Sequence, residues 1–444
     1  MMLPTLLSAV AASAAPASMA DILADPAHAA APGCVAGAFR DGAMVAQAAS
    51  GYADLADQIP LDGETLFYGA SLSKQFTALA AATLIADGRL SLDDDVRKYL
   101  PELPAYRATV TVGMLMHHSA GIRDSLSLLR LAGMADVGRA SKDQALRLLF
   151  RQSDTAFVPG TSYSYSNGGY LLLAEIVERV SGRPFADYAR RAIFAPLGMK
   201  RSYFLDGKAG GPRAAHGYVP DAGKFVVRDT FPRFSGSGGL MISLNDLARF
   251  ERDIERGHRV WTPAVAKIML APGRLATGAR IDDGKGMGYG GGLHIGRRRG
   301  QWFVQHGGAA EAFKHVYARL PERHEAYVLL CNRGDWNAQE KIDQVMMASG
   351  VPLATVARAA PSGRFRSREL DAEYSLAMDG TQLTVTISSP LLASPRVERF
   401  TPAEDGSYVA GPTRMTFGDG SDHIVVARGG SGGIRFSRIE GGQD

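Results

Sequence analysis

The chain has 444 residues, with Lys+Arg 49 against Asp+Glu 45, a net charge of +4 and 46% hydrophobic residues. That length holds two or three domains and a substantial core, and so small a charge leaves no electrostatic footprint for nucleic acid or an anionic membrane surface. With two cysteines, no Cys-x-x-Cys and no paired His/Cys spacing, neither a disulfide scaffold nor a structural zinc site is expected.

Residues 3–20 are apolar and small, and Ser18-Met19-Ala20 resembles a leader cleavage site. No Lys or Arg precedes Arg40, so the charged start of a secretory signal is missing; periplasmic or secreted and cytoplasmic locations both stay open. No later run is long and apolar enough to span a bilayer. Residues 1–31 are set apart as an N-terminal segment. From residue 32 the chain reads strand, turn, strand, with Asp41-Gly42 as a hairpin signal between 34–39 and 43–49. Cys34 lies in the first of these runs and Cys331 in the apolar run 327–331. Buried free thiols are the default, and a bridge between neighbouring strands is the alternative.

Residues 73–88 are Ala- and Leu-rich and end on Gly88, which predicts a buried helix. Ser71-Leu72-Ser73-Lys74 opens it. Three residues are nearly one helical turn, so Ser71 and Lys74 share a face. A lysine among apolar neighbours is disfavoured in its charged form and can act as a base toward the hydroxyl beside it. Taken alone, a capping serine and a solvated lysine are the plainer reading.

Ser91-Leu92-Asp93-Asp94-Asp95 reads as a further helix start. Helix signals then dominate 109–250, with helices expected at 170–180 and 184–195 and one capped by Ser243 through Leu247, Phe250 and Ile254. Tyr165-Ser166-Asn167 sits in a Gly/Ser loop just before the first of these. The nearby helix N-terminus favours the anionic form of a tyrosine placed there, although a surface turn tyrosine is the plainer reading in isolation.

After Gly286 strands return at 288–295, 301–305, 313–320 and 325–332, followed by a helix at 338–349. Arg297-Arg298-Arg299 between Gly296 and Gly300 reads as a solvated hairpin turn. His306-Gly307-Gly308-Ala309 follows the 301–305 strand. Its glycines let a substrate approach closely and leave amide N–H groups exposed; alone, it is equally a turn with a satisfied histidine. Past residue 351 short alternating strands take over, with Leu383, Val385 and Ile387 on one face, then Ile424 and Val426, then Ile434 and Phe436. The layout predicts an α+β fold over 32–350, an antiparallel sheet flanked by helices with an inserted all-α subdomain. A small all-β barrel or sandwich is expected over 351–444.

Three motif-like signals are set aside. Gly286-Met287-Gly288-Tyr289-Gly290-Gly291 carries the dinucleotide glycine spacing but precedes strand-like residues rather than a helix. Gly69-Ala70-Ser71-Leu72-Ser73 is one residue short of a nucleophile elbow and lacks parallel βα alternation around it. His117-His118 has no carboxylate at ligand spacing, and adjacent side chains point apart.

Taken together, Ser71-x-x-Lys74, Tyr165-x-Asn167 and His306-Gly307-Gly308 resemble, in order and texture, the penicillin-binding and serine β-lactamase superfamily. The chain is similar to its class C-type branch (serine peptidase family S12), and the third motif resembles the D-aminopeptidase and esterase-like members. The resemblance covers about 32–348 and includes His117-His118-Ser119-Ala120-Gly121, Pro159-Gly160, Pro196-Leu197-Gly198-Met199 and Gly238-Gly239-Leu240. A β-domain after the catalytic part is also something such hydrolases carry. The resemblance implies Ser71 as acylated nucleophile, Lys74 as base, Tyr165 as proton relay and His306 as a partly charged electrostatic partner of Tyr165. It also implies that Asn167 holds Lys74 and the substrate amide, that Gly307, Gly308 and Ala309 meet the substrate, and that the N–H groups of Ser71 and Ala309 form an oxyanion hole. No metal or cofactor is implied. The expected substrate is a small molecule or short peptide, cleaved by a D-aminopeptidase, amidase or esterase. A β-lactamase or DD-carboxypeptidase is the alternative, and a non-catalytic binder of cell-wall fragments the alternative of another class. Oligomeric state stays open.

Overall fold

The computed structural model describes residues 17–28, 30–206, 214–284, 286–353, 362–379, 382–402, 407–411, 413–417, 422–428 and 433–439. Most of the candidate leader lies outside them; Ser18 caps a short helix, Met19–Leu23. The chain divides into two compact units, Met1–Leu353 and Ala354–Asp444.

The first unit is built on a seven-stranded antiparallel sheet. Its strands are β1 (Cys34–Arg40), β2 (Ala43–Ser50), β3 (Gly288–Tyr289), β4 (His294–Arg298), β5 (Gln301–Ala309), β6 (Lys314–Leu320) and β7 (Glu325–Cys331), in the order β3-β4-β5-β6-β7-β1-β2. Asp41 (φ 48°) and Gly42 (φ 70°) make the predicted β1–β2 turn. Strands β1 and β7 are almost wholly buried because both sheet faces are covered. Val35, Phe39, Val328 and Leu330 join the core shared with the helix Ser73–Ala86. The alternate residues Cys34, Ala36, Leu329 and Cys331 pack with Ile342, Val345 and Met346 of the helix Ala338–Ala348. Two-residue alternation sorts the side chains between the layers.

The helix Ser73–Ala86 is apolar on nearly every face, and such a helix is stable only when enclosed. Asn167–Ser181 packs beside it, buried from Gly168 to Val177. Both belong to the long segment between β2 and β3. That segment is not purely helical. It also holds a small sheet of Phe67–Tyr68, Leu240–Ile242 and Tyr203–Phe204, and a hairpin of Tyr218–Asp221 with Lys224–Val227.

Several local expectations are corrected. The helix expected at Ser91 is a turn followed by a single 3-10 turn, Val96–Lys98. Asp94 accepts from Ser91 N–H and the Tyr99 hydroxyl, and Asp95 from Arg97 N–H, so the carboxylates compete with helix bonding. The strand expected at 288–295 splits into β3 and β4. Gly292 (φ 71°) lies between them, where an added Cβ would sit 2.6 Å from the Lys74 carbonyl and Gln75 N, so the glycine run packs on the helix backbone. Cys34 and Cys331 are directly opposite in the β1–β7 ladder and form a disulfide instead of remaining free thiols. The bond from Asn332 N–H to Gly33 O makes this neighbouring pair a close, non-hydrogen-bonded one. The arginine run does form a turn, at Arg299 and Gly300, but it is not simply solvated. Arg298 is buried in a two-pronged pair with Asp343 at 2.9 and 2.7 Å, and Arg299 reaches the same carboxylate, tying the last helix to the β4–β5 hairpin.

The second unit is a closed eight-stranded barrel running from Gly363–Ser367 to Gly433–Ile439. Phe365, Leu383, Val385, Phe400, Met415, Ile424 and Phe436 fill its interior. Closure removes free strand edges.

Candidate active site

The strand Phe67–Tyr68 leads into the 3-10 turn Ala70–Leu72 and then directly into the helix Ser73–Ala86. Ala70 has φ 45°, a left-handed conformation that costs energy for any residue with a Cβ. Neighbours impose it. Gly69 N–H donates to Leu240 O, while the Ser73 hydroxyl donates to Ala70 O (2.6 Å) and accepts from Leu240 N–H (3.2 Å). Ser71 is left at the mouth of the cleft, partly exposed, between buried Ala70 and Leu72.

One turn on, Lys74 is fully buried. Its Nζ lies 3.1 Å from Ser71 Oγ and donates to Asn167 Oδ1 (2.8 Å) and the Ser237 carbonyl (3.1 Å). Burial pulls the amine down to about 7, and the Asp124 carboxylate opposes that shift. Asn167 is oriented by Asp124, whose Oδ2 accepts from both its backbone N–H (2.9 Å) and its Nδ2 (2.7 Å). Burial pushes Asp124 up, but hydrogen bonds from Asn167 and Ser127 outweigh it and hold the carboxyl below its ordinary range.

Tyr165 completes the group. Its phenol interacts with the Ser71 hydroxyl, and Lys74 Nζ lies 4.7 Å from its ring centroid. Burial raises the phenol well above its ordinary value, outweighing the opposing hydrogen bond with Ser71. The expected anionic tyrosine is therefore overturned, because loss of water outweighs any nearby helix N-terminus. The ring packs on buried His118 at 4.4 Å, and His118 Nδ1 accepts the Ser166 N–H (3.1 Å), holding the loop from beneath.

Strand β5 supplies the fourth side. It continues to Ala309, so His306-Gly307-Gly308 lies within a strand and not in a turn. Strand β4 pairs with β5 only as far as Gln305, leaving 306–309 as a free edge. Ala310 N–H donates to Phe313 O, and alternation along the ladder turns the Ala309 N–H away from β6 toward that free edge. Gly308 lets the edge approach the Ser71 turn, since a Cβ there would lie 2.5 Å from Gly69 O. His306 is 6.2 Å from the Tyr165 ring but is not charged. Burial, then His294 and Lys74, push it well below its ordinary value. Its Nδ1 lies 2.6 Å from Gly307 O, an obligate acceptor, so Nδ1 carries the hydrogen and Nε2 accepts from the Tyr289 hydroxyl (3.0 Å). The expected partly charged partner of Tyr165 is thus a neutral imidazole holding Tyr289.

The structure brings Ser71, Lys74, Tyr165 and Asn167 into direct contact, with His306, Gly308 and Ala309 along one edge. Gly307 is exposed on that edge, its nearest would-be Cβ neighbour being His315 O at 3.4 Å. Sequence reasoning missed Asp124, whose only signal is an N-cap position before the helix Ser125–Leu131. It also missed Ser73 as the brace of the turn. Among the described residues, no cluster of three or more His, Cys, Asp or Glu side chains is placed to hold a metal ion.

The profile of the Beta-lactamase family matches residues 19–350. The chain belongs to the beta-lactamase family. Curated relatives include the D-aminopeptidase of Brucella anthropi, 29% identical over 348 residues, covering 78% of this chain and 65% of that protein. The D-aminopeptidase of Brucella canis is 30% identical over 353 residues, with 78% and 65% covered. The chain thus spans about 65% of the length of these relatives. Two solved structures share the fold. The octameric penicillin-binding protein homologue from Pyrococcus abyssi has TM-score 0.67 and 23% identity, over 91% of this chain and 95% of that one. The D-amino acid amidase from Ochrobactrum anthropi SV3 has TM-score 0.63 and 24% identity, over 75% and 98%. The beta-lactamase family match includes every residue of the Ser71 constellation and ends before the barrel.

Proposed function

We propose that this protein is a serine hydrolase that cleaves a small amide or ester through an acyl-enzyme on Ser71, with D-aminopeptidase or amidase chemistry as the main activity. The observation that carries the reading is the bonding of Lys74. Two of its contacts, Asn167 Oδ1 and Ser237 O, only accept, so they take two hydrogens. A neutral amine has two hydrogens and one lone pair, and the remaining direction faces Ser71 Oγ at 3.1 Å. An amine near 7 is substantially neutral at neutral pH.

In this mechanism Lys74 takes the Ser71 proton as Oγ attacks the substrate carbonyl carbon. The negative charge that develops on the carbonyl oxygen is met by the N–H groups of Ser71 and Ala309. Lys74 returns its proton through the Tyr165 phenol, which protonates the departing amine or alkoxide while being reprotonated itself. A protonated, buried tyrosine suits that relay. Water then attacks the ester, losing a proton to the same pair, and Ser71 regains its hydrogen. Asn167 and Asp124 orient Lys74. The D-aminopeptidase relatives support the choice of an amide substrate with a D-residue.

The test combines a fluorophosphonate probe with D-amino acid p-nitroanilides, p-nitrophenyl esters and nitrocefin. The expected result is labelling of Ser71 and turnover of anilides or esters, both lost in Ser71→Ala. Absence of labelling in the folded protein defeats the proposal and leaves a non-catalytic binder.

A further inference from the structure

The segment His117-His118-Ser119-Ala120-Gly121 takes no part in the proton transfers above, yet it packs beneath Tyr165. The helix Val112–Met116 ends at His117, and His118 follows in the left-handed region at φ 58°. Histidine is among the few side chains enriched there, and strain of this kind collects at functional sites. His118 accepts hydrogen bonds on both sides of Tyr165. Its carbonyl takes the Ser164 N–H at 2.9 Å, and its Nδ1 takes the Ser166 N–H at 3.1 Å. The imidazole lies against the Tyr165 ring, 4.4 Å between centroids. One residue thus fixes Tyr165 at both flanking peptides and on one ring face. Further back along the loop, Gly160 N–H donates to Ser119 O (2.8 Å).

Because Nδ1 accepts, the hydrogen of the ring is on Nε2, which is buried and has no acceptor among the described residues. Burial first, then Lys74, keep the ring neutral, so Nδ1 stays an acceptor. A buried donor without a partner is costly. Phenylalanine would fill the same space without that cost; what it lacks is the acceptor that holds Ser166. The base is held otherwise. Lys74 is fixed by Asn167 Oδ1 and Ser237 O, and Asn167 by Asp124; none of these bonds involves His118. Removal of the Ser71 proton and delivery of a proton to the departing group therefore rest on separate supports. We propose that His118 is a positioning residue for Tyr165, holding the phenol where it protonates the leaving group, so that its effect falls on substrates with poor leaving groups. This inference rests on the acyl-enzyme reading above.

The experiment gives one acyl group two leaving groups, as D-alanine p-nitroanilide and D-alanine p-nitrophenyl ester, on the full chain. Nitrophenolate departs without a proton, whereas the anilide nitrogen must receive one. The readout is the anilide-to-ester ratio of kcat/KM within each variant, which cancels any loss common to both. His118→Phe keeps an aromatic ring and removes the acceptor. His118→Asn puts an amide oxygen at the position of Nδ1 and tolerates the left-handed backbone. His118→Phe is expected to lower the anilide value about 10²-fold and the ester value less than about threefold. His118→Asn is expected to keep a ratio nearer to wild type. Both variants are expected to label at Ser71 with a fluorophosphonate, whose fluoride leaves unprotonated. An unchanged ratio, an asparagine variant no better than phenylalanine, or loss of labelling in both variants overturns the assignment, while labelled wild type leaves the acyl-enzyme standing. A wild-type protein that does not label at Ser71 defeats the acyl-enzyme, and this role with it.

Discussion

Lys74 Nζ and Asn167 Oδ1 meet at 2.8 Å across 93 residues of sequence, and that bond helps to set which side of the amine faces Ser71. Because Asn167 Nδ2 is held by the Asp124 carboxylate, the amide cannot flip without leaving a buried donor facing the amine. Geometry and protonation are therefore coupled at one atom.

The first prediction concerns pH. Lys74 must be unprotonated to accept the Ser71 proton, and its value near 7 lies well below that of an ordinary lysine. The kcat/KM profile is expected to rise through about pH 7 as the amine loses its proton. Lys74→Arg, which stays charged, is expected to lower kcat about 10²–10⁴-fold. A profile flat from pH 5 to 9 would contradict the assignment.

Asn167→Asp offers a sharper test. A carboxylate in hydrogen-bonding contact favours the charged amine, so the folded-state value of Lys74 rises and the rising limb moves to higher pH, by about one unit or more. Pre-steady-state acylation of a fluorogenic ester across pH measures it directly. A shift to lower pH, or none, would mean that another group titrates.

Two neighbouring glycines should differ. Gly308→Ala places a Cβ 2.5 Å from Gly69 O and pushes the β5 edge off the Ser71 turn. The expected cost is about 10²-fold in kcat, the scale of a lost oxyanion donor, with the fold retained by circular dichroism. Gly307→Ala meets only His315 O at 3.4 Å and is expected to be much less damaging. Equal effects would place the oxyanion donors elsewhere.

Selection for a free carboxylate is expected to be weak. His306 is neutral and engaged with Tyr289, so the third motif offers no formal cation. Benzylpenicillin turnover is expected to fall far below that of a good ester or D-amino acid amide, as steady-state kinetics on one preparation would show. Comparable rates would refute this account.

Cys34 and Cys331 tie β1 to β7 across a sequence separation of 297. Replacing both with serine is expected to lower unfolding stability by about 2–4 kcal/mol, measured in urea. Alkylation in denaturant without reductant is expected to modify neither cysteine. Modification of both would show free thiols.

The positions of the main elements were readable because near neighbours encode them. Asp41-Gly42 makes its turn by backbone preference, and the run from Ser73 to Ala86 reads as an enclosed helix from its apolar residues on every face. The opening Ser-x-x-Lys pair shares a face through helical spacing alone. Where nearby carboxylates competed for backbone N–H groups, as at Asp94 and Asp95, the same reasoning overreached and called a helix.

Charge states were not readable, because they depend on water removed by distant segments. Lys74 bonds Asn167 and Ser237, the latter 163 residues away, and its descent to about 7 follows from burial by such distant segments. Tyr165 stays a phenol and His306 stays neutral for the same reason. The buried Arg298–Asp343 pair and the Cys34–Cys331 bond likewise exist only once the strands and the last helix are assembled. Sequence alone determined which groups line up along a helix, a loop and a strand. Folding decided which of them carry protons, since a proton's free energy depends on the whole dielectric environment and not on the residues beside it in the chain.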